Sequence, residues 1–160
     1  MAIWQFDFYI IPIENQTIEK DMEKIISWES VDVPDCQIDF LENRKSWSDS
    51  IMQYGAEDET CIKLFSDNGK IVNILCRLDL RALTKNLLDK ILLYIQSIQG
   101  LIFYKESVFS PKFKVICSLL QESDAYRFCK NPVLFFEQQQ KNNETVTDHT
   151  NGQHRLTIKS

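Results

Sequence analysis

Apolar and polar residues alternate at the start of the chain, and Trp4, Phe6, Phe8 and Ile10 fall on one face of residues 3–11. Period two in aromatic and β-branched residues predicts a strand, which Pro12 ends. The period then changes. Ile18, Met22, Ile25 and Ile26 recur at helical spacing behind Asn15, a candidate cap, with Glu19, Asp21 and Glu23 elsewhere around the wheel. That predicts an amphipathic helix with a mostly acidic outer face, ending near Trp28. Residues 29–45 are weakly patterned and read as loop, with a short strand at 37–41. Ser46-Trp47-Ser48-Asp49 has the form of a capping box. It predicts a short helix with Trp47, Ile51 and Tyr54 as its buried stripe and Gly55 as its stop.

The second half is more strongly patterned. Residues 60–65 and 70–78 read as strands around Ser66-Asp67-Asn68-Gly69, where Asn-Gly tolerates positive φ and so marks a hairpin. Leu83, Leu87, Leu88, Ile91, Leu92, Ile95 and Ile98 trace a long amphipathic helix closed by Gly100, and a strand follows at 101–104. Ser110-Pro111 and Asn131-Pro132 each place a cap before a proline, the start signal of a helix, and Ser123 caps a short helix between them. From Gln138 the chain turns polar and loses apolar periodicity, so residues 138–160 read as a tail outside a single globular domain at 1–137. The element order predicts an α+β fold, an antiparallel sheet of about four strands with helices mainly on one face.

Composition narrows the class. With 44% hydrophobic and 26% charged residues, the 160-residue chain has the make-up of an ordinary soluble domain. Its opening has no basic region and carries Asp7, so no signal peptide is expected. Apolar runs stay far below the roughly 20 residues that span a bilayer. Five cysteines, without a C-x-x-C pair, read as free thiols and a cytoplasmic setting.

Charge is unevenly spread. Between Glu14 and Glu59 stand thirteen Asp or Glu and four Lys or Arg, a formal −9, against −5 for the whole chain. Such a field disfavours nucleic acid and anionic membrane and favours a cationic protein surface or metal ions. Within it, Glu29, Asp32, Asp35, Asp39, Glu57, Asp58 and Glu59 lie in predicted loops, where they form either a solvated face or a partner surface. Trp28, at the end of the first helix, is the aromatic expected to anchor a partner, whereas Trp47 is expected in the core. Arg77, Asp79 and Arg81 alternate at a strand end. Asp79 could pair with both guanidiniums and form a second site, or the charges could satisfy a neighbouring loop.

Catalytic signals are missing. His149 and His154 both fall in the polar tail, so no Ser-His or Cys-His machinery and no zinc set is expected in the domain. No glycine-rich phosphate loop and no calcium-loop spacing appear. The expectation is a protein without enzymatic activity, metal or cofactor; a hydrolase relying on carboxylates alone is the least favoured alternative.

Four stretches carry a resemblance: Trp4-Gln5-Phe6-Asp7-Phe8-Tyr9-Ile10-Ile11-Pro12; Trp47 followed by Gly55; Cys76-Arg77-Leu78-Asp79-Leu80-Arg81 running into a long helix; and Ser123-Asp124-Ala125-Tyr126-Arg127-Phe128 with Asn131-Pro132 and Phe135-Phe136. Together, over about residues 3–137, they are similar to the small cytoplasmic immunity proteins of bacterial polymorphic toxins, including those of contact-dependent inhibition. The resemblance implies a non-enzymatic protein that neutralises a cognate toxin domain. A nuclease toxin would present a basic active-site surface, which an acidic inhibitor could occupy. The other expectation is an adaptor or interaction domain without a toxin partner.

Overall fold

The computed structural model describes residues 1–17 and 21–147. Seven strands form one antiparallel sheet: β1 (Gln5–Pro12), β2 (Asn43–Lys45), β3 (Ile51–Tyr54), β4 (Cys61–Asp67), β5 (Lys70–Asp79), β6 (Gly100–Tyr104) and β7 (Ser107–Phe109). Their order across the sheet is β2-β3-β4-β5-β1-β6-β7. The helices are α1 (Met22–Ile25), α2 (Lys85–Ser97), α3 (Phe113–Gln121), α4 (Asp124–Lys130) and α5 (Pro132–Thr147). The fold is α+β, with seven strands where the sequence predicts about four. Two of the extra strands are short and weakly apolar: Asn43–Lys45 and Ser107–Phe109 have three residues each, too few for a period of their own. Pairing with a longer neighbour makes them strands.

The strongest sequence signals hold. Asn68 and Gly69 take φ of 50° and 77° in a two-residue turn between β4 and β5, the geometry that matches strand twist. Directly opposed residues share a face. Phe6 opposes Leu78, Phe8 opposes Cys76 and Ile62 opposes Cys76, which puts these side chains on one side of the sheet. The same buried cluster holds Leu88, Ile91, Ile95 and Ile98 of the α2 region and Ile116 and Leu120 of α3. Thr84 caps α2 by accepting from the Leu87 amide at 3.1 Å, and Ser123 caps α4 through the Tyr126 amide at 3.2 Å.

Several expectations are corrected. The predicted helix after Ser46 is strand β3: Ile51 opposes Phe65 and Gln53 opposes Lys63 along the open edge of β4. Trp47 sits in the loop before it, 78% exposed rather than in the core. The expected strand at 37–41 is irregular, although Ile38 is buried. Asn15 does not start the first helix. Its Nδ2 donates to the carbonyls of Lys24, Ile25 and Ser27 at 3.1, 3.0 and 2.7 Å and so closes the end of α1, while Asp21 caps its start. Ile18 and Glu19, part of that predicted helix, lie outside the described residues.

Ser110-Pro111 also fails as a helix start. The Ser110 carbonyl accepts from the Lys112 amide at 2.8 Å, and the Pro111 carbonyl accepts from Gln96 Nε2 at 2.7 Å. The dipeptide is thus a turn docked on α2, and α3 begins at Phe113 with Lys112 as its cap. At the other end, α5 runs past Gln138 to Thr147. The remaining polar residues, 148–160, with His149 and His154, lie outside the described residues.

Candidate functional site

The acidic residues separate into two groups, one on the 29–39 segment and one in the loop that leads into β4. In the first, apolar side chains turn inward and acids turn outward. Val31, Val33, Cys36 and Phe40 pack against the core cluster and Ile38 enters it, while Glu29, Asp32, Asp35 and Asp39 are exposed. No strand or helix carries this segment. Burial of alternate apolar residues (Val31 and Val33, Ile38 and Phe40) displays the acids. Asp32, 99% exposed at its side chain, comes within 3.7 Å of Lys70 Nζ beside the β4–β5 turn.

Trp28 is no surface anchor. It is 0% exposed, with its indole Nε1 donating to the Ile10 carbonyl at 2.7 Å and its backbone amide donating to Val72 at 2.8 Å. It pins the start of the acidic segment to the sheet, so a partner cannot touch it in this fold. The aromatic that does face solvent is Trp47, with Met52 44% exposed on the strand that follows. The sequence carries a signal for this: Trp47 has Ser46 and Ser48 on either side, with Asp49-Ser50 beyond, and no apolar neighbour to bury it.

The second group, Glu57, Asp58 and Glu59, is exposed in the loop joining β3 to β4. Here the structure merges two sites that the sequence keeps apart, because the arginines of β5 hold this loop. Arg77 makes a two-pronged ion pair with Asp7, Nε to Oδ1 and Nη2 to Oδ2, both 2.9 Å, and its Nη1 donates to the Glu57 carbonyl at 2.8 Å. Arg81 pairs likewise with Asp79, at 2.9 and 2.7 Å, and reaches the Asp58 carbonyl at 3.3 Å. Among the described residues Asp79 therefore pairs with Arg81 and not with Arg77, which points along the strand pair to Asp7, its direct cross-strand partner. Thr60 Oγ1 accepts from the Asp79 amide at 3.0 Å and completes the clamp.

The electrostatics follow from these contacts. Hydrogen bonds from Arg81 hold the Asp79 carboxyl below its ordinary value, against the opposing effect of burial. The carboxyl of Glu57 is lowered chiefly by its hydrogen bond with Lys63, at 2.7 Å. Lys63 runs its stem across the sheet, 7% exposed, to bring its ammonium to Glu57. Arg77, Asp79 and Arg81 thus build a structural clamp whose cations are already engaged. Asp58 and Glu59 keep their carboxylates at the surface. Among the described residues no group of three His, Cys, Asp or Glu could hold a metal ion, and no helix is long and apolar enough to cross a membrane.

Compared with protein-family models, with curated proteins and with solved structures, the chain matches none.

Proposed function

We propose that this protein is a cytoplasmic immunity protein that neutralises a cognate toxin domain by stoichiometric binding, with no chemistry of its own. The observation that carries the reading is the outward display of Glu29, Asp32, Asp35, Asp39, Asp58 and Glu59, with the backbone at Glu57 and Asp58 held by Arg77 and Arg81. A cationic surface, such as the substrate groove of a nuclease, is the complement of this field. Trp47 and Met52 supply an apolar contact on the same half of the sheet, the pairing of aromatic anchor and charged rim typical of interfaces. Nucleic acid and anionic lipid are not partners in this reading, and no cofactor takes part.

Co-expression with the product of the gene directly upstream tests it, since an immunity gene follows its toxin. The expected result is an equimolar complex and rescue of growth. Neither complex nor rescue would sink the reading and leave an interaction domain without a toxin partner. A second measurement addresses the acids: the association rate should fall steeply as salt rises from about 0.02 M to about 0.15 M.

A further inference from the structure

A groove of about 490 Å³ opens between the start of α2, α3 and α4, on the helical side of the molecule. Its floor is apolar, formed by Leu80, Leu83, Leu88, Phe113 and Leu120. Polar atoms are few, and the charged residues lining it are Lys85 and Lys130, with no carboxylate among them. Lys130 makes no ion pair with any described residue, whereas Lys85 lies 2.7 Å from Asp89 and its ammonium stands 4.9 Å from the centre of the Phe113 ring. Asp79, whose charge is felt at Cys129 on the groove wall, is already clamped by Arg81.

The helix ends strengthen the bias. Thr84, Lys85 and Phe113 belong to the first turns, or the cap, of α2 and α3, where the helix dipole favours acids. Neither first turn holds an acid. Lys85 opens α2, and Lys112 and Lys114 surround the start of α3, whose cap makes no side-chain hydrogen bond. Cations at these positions oppose their own helices, and an anion held between them would relieve that opposition.

We propose that this groove binds an amphipathic anion, specifically an unbranched acyl carboxylate. The volume lies within the roughly 300–1,000 Å³ of small-molecule sites. The chain covers the leucines and Phe113, and the carboxylate meets Lys85 and Lys130 near the start of α2. This site is independent of the acidic surface and of any toxin.

Dodecanoate, kept below its micellar concentration, is the probe, titrated by calorimetry against the full chain. One bound molecule per chain is expected, and a double Lys85→Gln, Lys130→Gln variant should bind at least about tenfold more weakly, the loss of a charge-assisted contact. Dodecyltrimethylammonium, of equal chain length, should not bind. Location is read independently by thiol alkylation: dodecanoate should slow the reaction of Cys117 and Cys129, which line the groove, and leave Cys36 unchanged. Cys36 is an internal control because it contacts Ser97 at the far end of α2, about 18 Å away along the helix. No dodecanoate binding, equal binding of the cation, or protection of all three thiols alike would each overturn the proposal. The last two would show nonspecific detergent action, and an acidic apolar peptide that bound where dodecanoate did not would also refute it.

Discussion

Individual side chains decide whether a residue builds the molecule or faces outward, and the two tryptophans of the acidic half show the contrast. Trp28 fills the core and satisfies the Ile10 carbonyl. Trp28→Phe should cost about 2–4 kcal/mol, combining lost volume with an unpaired carbonyl, as read from urea unfolding. Trp47→Ala should leave stability within about 0.5 kcal/mol and, if Trp47 anchors the toxin, weaken that complex by about 2 kcal/mol. Asp79 carries a pH signature. Its carboxyl is lower in the folded state, so the unfolded chain binds the proton first as pH falls. Its contribution is complete above the ordinary carboxyl value of about 3.9 and disappears as pH drops through the lower, folded value. Urea unfolding between neutral pH and about pH 2 should show a shallower acid limb for Asp79→Asn. An unchanged limb would mean that other carboxylates dominate.

At the level of elements, two glycines with positive φ have different work. Gly69, φ 77°, has open space where a Cβ would stand. Gly69→Ala should cost only the strain of a left-handed residue, about 1 kcal/mol. Gly55, φ 87°, would put a Cβ 2.2 Å from the Thr60 carbonyl, inside the loop that the arginines clamp. Gly55→Ala should cost about 3 kcal/mol or more and expose the 56–60 loop to protease, a difference that paired thermal and proteolytic measurements would detect. The hairpin and α2 were legible because each carries its own period or turn chemistry over enough residues. Strands β2, β3 and β7 were not. Their residues become strands by pairing, β3 with β4, β2 with β3 and β7 with β6, and pairing is a property of the neighbour.

Over the whole molecule, charge is arranged at a distance. Asp32 stands beside Lys70 at the β4–β5 turn, and the acids of 57–59 lie at the other end of β4, about 23 Å away along its seven residues. Steering acts over the whole field, while contact acts locally. If the proposed toxin is the partner, neutralising either set should slow association with it, but only the set buried in the complex should raise the dissociation rate. Stopped-flow and dissociation measurements on the two variants separate the effects; if neither rate moved for either set, the acidic surface would have no role. The lysines at the starts of α2 and α3 give that end of the helical layer the reverse sign.

The sequence by itself determined the α+β class, the first strand, the central hairpin, the long helix and the excess of acids before residue 60, because periodicity, turn residues and charge are local. Only the tertiary structure decided that Trp28 is core and Trp47 is surface, since both are single aromatics in weakly patterned stretches. It also decided that Arg77, Asp79 and Arg81 belong with the loop of Glu57 and Asp58, because strand register brings together residues twenty or more positions apart. The groove at α2 and α3 could not be read from sequence either. It is the space left where three helices and a loop meet, and no single segment encodes a space.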